Sequence, residues 1–265
     1  MLTAVALELR EQEVVDPCGG DNRHVCDRSV DSDARVGMAA SKILVHSDPA
    51  KIDKAGHLIY WDGQNRGRGA GQRDAGQFDR VEETIWPDGC AAMYRRDMID
   101  RIGGFDEDFF AYADDAELGL RARIAGWRCL YMPDARVLHH RGSTLGLYSA
   151  RRIRLIERNR ILLVWKLFPW RLICLNWFYF AKRMLAGAKA AALGKGEAGR
   201  VPGIGGKMRV AGALLLGVAT AIPWIPKMLW KRWRLRGIRR LNGGQVYELI
   251  ANNQITLEEL SEESI

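Results

Sequence analysis

The sequence predicts an α/β layer followed by a helical, basic, membrane-associated C-terminal region, and three observations predict it. Short apolar runs alternate with amphipathic helical patterns up to residue 150, which is the signature of a sheet covered by helices. Charge then changes sign along the chain. Residues 1–150 carry 19 basic and 25 acidic side chains, whereas residues 151–240 carry 21 basic and 2 acidic ones. Finally, tryptophans and long apolar runs collect in that basic segment. The net charge of +8 thus belongs to one region.

The first 33 residues are the least informative. "MLTAVALELREQEVVD" reads as a short helical stretch, too acidic and too short in its apolar run for a signal peptide, and "DPCGGDNRH" reads as loop. Five scattered cysteines, Cys18, Cys26, Cys90, Cys129 and Cys174, contain no CxxC pair and read as reduced thiols. Regular structure begins at "VGMAASKILV", Val36 to Val45, a buried strand. "GHLIYWDG" reads as another strand, and the glycine-rich Gly63 to Gly76 as a flexible surface loop, with an acceptor-covering flap as the alternative. It lacks the strand–GxGxxG–helix context of a dinucleotide site.

From residue 90 the pattern sharpens. "CAAMY" is a short apolar run. Arg96 to Ile102 reads as a helix stopped by Gly103. A second helix starts near Asp114, keeps Leu118, Ala122 and Ala125 on a packed face, and ends at Gly126. "WRCLYMP" and "ARVLHH" read as two strands.

The stretch "FFAYADDAELGLR" crowds Asp114, Asp115 and Glu117 against aromatic side chains at the start of that helix. Acids favour the positive end of a helix dipole, and Glu117 and Arg121 are spaced to pair, so capping plus an ion pair accounts for them. The functional alternative is a carboxylate poised to accept a proton from a hydroxyl.

The run "GCAAMYRRDMIDRIGGFDEDFFAYADDAELGLRARIAGWRCLYMPDARVLHH" resembles the C-terminal half of the catalytic domain of family 2 glycosyltransferases, the inverting type with the GT-A (nucleotide-diphospho-sugar transferase-like) fold, and most resembles the rhamnosyltransferase-like branch. The likeness covers roughly residues 34–165. It implies that Asp115 is the catalytic base, with Asp114 and Glu117 orienting it and Arg121 holding Glu117. It implies that Trp86, Asp88 and Gly89 line an acceptor pocket, although core packing explains Trp86 equally well. His139 falls where some members ligate a divalent metal, Mn or Mg, on the donor diphosphate; a structural histidine is the alternative. His140 lies outside that site. The implied partners are a nucleotide-sugar donor and a lipid-linked or cell-surface glycan acceptor. The sugar implied is rhamnose or another deoxyhexose, transferred with inversion.

A family member of this type begins with a nucleotide-binding half bearing a DxD motif. Asp31 to Asp33, "DSD", follows a segment too polar for a buried strand and is read as a loop or helix end. The chain is therefore expected to lack that half and to bind donor weakly, and the competing function is a catalytically dead, membrane-peripheral binding protein. The expected organisation is 1–33 irregular, 34–150 acceptor-side half, 151–240 basic aromatic helical region and 241–265 acidic tail. In 151–240, Trp165, Trp170 and Trp177 suit a bilayer interface, Val210 to Pro226 approaches spanning length, and "KRWRLRGIRR" suits anionic headgroups. An interfacial or re-entrant anchor on the cytoplasmic face of the membrane is the expectation. A transmembrane hairpin and a nucleic-acid face are the alternatives, the long apolar runs arguing against nucleic acid.

Overall fold

The computed structural model describes residues 2–3, 12–15, 33–140, 149–194 and 203–261. It is a mixed α/β structure. Strands β1 (Leu2–Thr3), β2 (Gln12–Val15), β3 (Val36–Val45), β4 (Asp48–Ala55), β7 (Glu82–Glu83), β8 (Ala92–Arg95) and β9 (Arg128–His139) form one curled sheet, and β5 (His57–Ile59) pairs with β6 (Asn65–Gly67). The main sheet runs β1-β8-β3-β9-β2, with β4 beside β3 and β7 beside β9. Among the described strands of this sheet, β3 and β9 are parallel to each other and the other pairings are antiparallel.

The central strand β3 is buried along nearly its whole length, so its near-continuous apolar pattern is that of a strand covered on both faces. Its one lysine, Lys42, is fully buried and pairs with Asp74 at 3.0 Å and with Asp79. A buried ammonium requires such partners. Lys42 therefore pins the glycine-rich segment that was expected to be flexible. Backbone hydrogen bonds from Ile52 to Gln72 and from Gly71 to Ile52, both 2.9 Å, lay that segment along β4.

Two further expectations are corrected. The segment read as two strands about Pro133 is one twelve-residue strand, β9, whose pairing with β3 skips between Met132 and Arg136. Proline is tolerated in a strand at such an irregularity, where no ladder hydrogen bond is lost. In the N-terminal block read as helix and loop, the described residues are extended and pair with β8 and β9. Asp31, Cys18 and Cys26 lie outside the described residues. Cys90, Cys129 and Cys174 are free thiols.

Helices α1 (Arg96–Ile102), α2 (Asp114–Ile124), α3 (Ala150–Leu167), α4 (Trp170–Ala192), α5 (Gly203–Ala221), α6 (Ile225–Arg234), α7 (Gly243–Asn252) and α8 (Leu257–Ser261) complete the fold. Gly103, at φ 84°, stops α1 where the sequence places the stop. Helix α2 is enclosed on several sides. Leu118 and Ala122 pack with β3 and α1, while Ala116, Leu120 and Ile124 pack with Trp86, Phe109 and the α3 residues Leu162, Leu163 and Val164. A third face presents Gly119 to Trp86, and a Cβ there would stand 2.2 Å from the Trp86 Cβ. Alanine is ordinarily the better helix former, but here overpacking outweighs propensity. Thus α3, the start of the basic segment, contributes to the same core as the α/β layer.

Candidate active site

Three segments remote in sequence meet at the start of α2. Asp115 Oδ2 accepts the Gly89 N–H at 3.1 Å and lies 3.9 Å from His57 Nε2. The His57 Nε2–H donates to Asp88 Oδ2 at 2.9 Å, and Lys54 Nζ donates to the same oxygen at 2.6 Å. Asp88 Oδ1 in turn accepts the Cys90 N–H at 3.0 Å. His139 stands one step further out, with Nδ1 2.8 Å from Asp53 Oδ2, and Lys54 lies between Asp53 and Asp88. The sequence reading missed Lys54 and His57. Their only signal is a histidine following Gly56, whose φ of 84° turns the chain between β4 and β5.

Each residue singled out from sequence has a definite place. Asp114 and Asp115 open α2, and Gly89 approaches Asp115 closely enough that an added Cβ would stand 3.4 Å from the Asp115 Cβ. Trp86 is fully buried and stacks near His57 with ring centroids 5.9 Å apart, so it backs the site from within the core. Glu117 is also fully buried. Arg121 grips it with two hydrogen bonds of 2.9 Å, and Lys166 of α3 lies 2.6 Å away. Arg121 also donates to the carbonyls of Ile102, Gly103 and Gly104. Glu117 and Arg121 therefore tie α2 to the turn after α1. Asp33 accepts from the Arg35 N–H and pairs with Arg128 at 2.7 Å, joining the starts of β3 and β9. His140 stacks on His46.

The backbone leading into the site is strained. Phe110, Tyr112 and Ala113 adopt φ of 60°, 69° and 57°. Left-handed backbone at non-glycine residues costs on the order of 1–3 kcal/mol each. The strain turns Phe109 into the core and leaves Phe110 exposed. It also starts α2 abruptly, with Ala113 at the N-cap and no side chain capping it. Asp115 supplies part of what the cap lacks, its Oδ1 accepting the Ala116 N–H at 2.7 Å.

Burial and charge then divide the carboxylates. Burial and the neighbouring Asp115 push Asp114 up from the ordinary 3.8 to about 7. Burial and Asp88 push Asp115 up as well. Burial would also raise Asp88, but Lys54 and His57 hold it well below the usual range. So one carboxylate is locked as an anion against Lys54, and a neighbouring pair holds a proton more tightly than free carboxylates do.

His57, Asp88 and Asp115 form a set whose ligand atoms lie within 4.8 Å of one another, the type of set that could hold a divalent cation. The arrangement does not suit one. Both Asp88 oxygens are already engaged, Oδ2 by the Lys54 ammonium and the His57 N–H and Oδ1 by the Cys90 N–H. A metal would add two positive charges beside Lys54. His139 lies on Asp53, outside that set.

Residues 69–157 match the family model described as glycosyltransferase like family 2. An N-acetylglucosaminyl-diphospho-decaprenol L-rhamnosyltransferase of Mycobacterium tuberculosis (strain CDC 1551 / Oshkosh) is 43% identical over 61 residues, which is 23% of this chain and 20% of that protein. The protein of the same name from strain ATCC 25618 / H37Rv matches to the same extent. O-antigen biosynthesis protein RfbC of Myxococcus xanthus is 34% identical over 55 residues, 21% of this chain and 4% of that protein. Through this segment the chain resembles family 2 glycosyltransferases and is similar to rhamnosyltransferases. The chain spans about a fifth of the length of the first two relatives.

The raised proton affinity of Asp114 carries a stability consequence. Between the unfolded value near 3.8 and the folded value near 7, the native state binds a proton that the unfolded chain has released. Stability from this group therefore falls as pH rises through that window, and the full penalty is present above it. Asp114→Asn is expected to flatten the decline and to be the more stable protein at pH 8. Urea unfolding at pH 5, 6.5 and 8 measures this; equal slopes for the two proteins would contradict it.

Proposed function

We propose that the chain is the acceptor-side part of an inverting GT-A glycosyltransferase. In this reading it moves a sugar, rhamnose or another deoxyhexose, from a nucleotide-sugar to a lipid-linked or cell-surface glycan acceptor. The observation that carries the reading is the placement of Asp115. Its carboxylate is held by the Gly89 amide, raised in proton affinity by burial and by Asp88, and still 15% exposed, so a substrate hydroxyl can reach it. A general base works best when its proton affinity is raised toward the working pH. Asp115 takes the proton of the acceptor hydroxyl as that oxygen bonds to the anomeric carbon. The bond from that carbon to the diphosphate breaks on the opposite face, which inverts the centre. Asp114 orients the base, and Asp88, fixed by Lys54 and His57, raises the proton affinity of Asp115 and lines the acceptor side with Gly89.

The donor diphosphate calls for a divalent cation, Mn or Mg. Because Lys54 occupies the place of a cation on Asp88, that ion belongs with the donor-binding residues rather than with His57, Asp88 and Asp115. The rhamnosyltransferase named above acts, by its name, on a decaprenol-linked sugar, which supports a lipid-linked acceptor here.

Membrane attachment supports such an acceptor. The helical run Gly203–Gly237 is long and apolar enough to cross a membrane by length and composition, its most apolar stretch having mean hydropathy 1.6. Trp170, Trp177, Phe178, Leu215, Leu216 and Trp233 are exposed on α4, α5 and α6. We place the exposed faces of α4 to α6, within the basic segment 151–240, on the cytoplasmic face, inserted beside anionic lipid. A competing reading, a membrane-peripheral binding protein without catalysis, shares this surface and differs only at Asp115.

Asp115→Asn keeps the size of the side chain and removes its basicity. It is expected to lower transfer by about 10²–10⁴-fold, measured as sugar transfer to polyprenyl-diphospho-sugar acceptors, with unfolding showing an intact fold; near-normal turnover would exclude the role. For the membrane, binding to anionic vesicles is expected to weaken with salt yet persist until detergent is added, since apolar burial does not depend on ionic strength. Protein left in solution with such vesicles at low salt would refute the anchor.

A further inference from the structure

The basic helices do more than face outward. Asn159, in the middle of α3, is fully buried, and its Nδ2 donates to the carbonyls of Phe109, Ala111 and Tyr112 at 2.7, 2.8 and 2.8 Å. Those carbonyls belong to the turn whose left-handed residues are Phe110, Tyr112 and Ala113. Left-handed φ at three of the four positions 110–113 swings the peptides so that their oxygens converge on one point, and that point is occupied by a single amide. The orientation of the amide is set from its other side, where Oδ1 accepts from Arg158 Nη1 at 2.7 Å. Arg158 also donates to the Asp108 carbonyl at 3.0 Å, and its guanidinium lies 4.5 Å from the centre of the Trp224 ring. Asn159 has no access to water that could replace it. An oxygen in place of the NH₂ would face three carbonyl oxygens, and an apolar group would take the side-chain donor from all three, leaving Phe109 only the Ala111 N–H at 2.7 Å.

We propose that Asn159 is a positioning residue for the carboxylate pair: its amide holds the strained turn that delivers Asp114 and Asp115 to the start of α2. It touches neither carboxylate and acts through the turn. The catalytic part of this proposal rests on the transferase reading above; the structural part does not. A mere packing role would make Asn159 interchangeable with any side chain that preserves the fold. A positioning role makes the turn, and the rate, depend on the donors specifically.

The test uses the full chain and the near-isosteric Asn159→Asp. Backbone amides of residues 110–115 are expected to exchange hydrogen at least about tenfold faster, while those of β3 and β9 are unchanged. Transfer is expected to lose about 10²-fold in kcat, the scale of an ångström-sized misplacement, with KM within about threefold. Adding Ala113→Gly to Asn159→Asp is expected to restore part of kcat, because glycine adopts the left-handed conformation freely. If Asn159→Asp does not fold, Asn159→Ser, which keeps one donor, is expected to show the same changes in smaller degree. Unchanged exchange at 110–115 overturns the proposal, as does a loss confined to KM or one that glycine does not relieve. If the unaltered chain transfers no sugar, the transferase reading falls, and the exchange measurement alone decides whether Asn159 holds the turn.

Discussion

The enclosure of α2 is the constraint on which the rest of the structure depends. A helix whose first turn carries three acids would ordinarily keep that turn in water. Here the sheet and α1 cover one side, Trp86 a second and α3 a third. Burying carboxylates is costly unless each finds a partner. Glu117 finds Arg121 and Lys166. Asp88, across the gap, finds Lys54 and His57. Asp114 and Asp115 find backbone amides and each other, so their answer to burial is to hold a proton more tightly. The contrast between a locked anion and a proton-hungry pair a few ångströms apart is the chemical content of the site.

The basic segment takes part in this arrangement. Lys166 reaches both Glu117 and Asp106, Lys227 reaches Asp108, and Lys231 bridges Asp106 and Asp108. Arg183 and Arg160 neutralise Asp62 and Glu157 deeper in the core. Part of the positive charge that reads as a lipid-facing surface is therefore matched by acids of the α/β layer, across the point where the charge of the sequence changes sign. What remains for a membrane is the exposed aromatic and aliphatic surface of α4 to α6, with the basic groups not engaged in this way.

The α/β character was legible because it is local. Val36–Val45 is an uninterrupted apolar run, and α1 ends at a glycine. The packed face read from Leu118, Ala122 and Ala125 is real, although the periodicity could not reveal that Ala116, Leu120 and Ile124 are buried as well. What was illegible depends on partners distant in sequence. The glycine-rich segment looks flexible until Lys42, buried in β3, is seen to hold Asp74. Pro133 looks like a strand end until β3 is seen to continue beside it. The acids at 114, 115 and 117 were singled out together, yet only their neighbours separate the roles. Lys54 and His57 carry no local mark beyond the turn at Gly56, since their meaning comes from Asp88, more than thirty residues away.

Burial at the start of α2 leaves the Asp114–Asp115 pair holding a proton close to neutral pH while Asp88 stays ionised. Carbon-13 NMR titration of the aspartate carboxyl carbons, assigned through Asp114→Asn, Asp115→Asn and Asp88→Asn, reads this directly. One carboxyl of the pair is expected to titrate near pH 7, and Asp88 to stay ionised through the range in which free carboxylates take up a proton. All three carboxyls titrating together near pH 4 would contradict it.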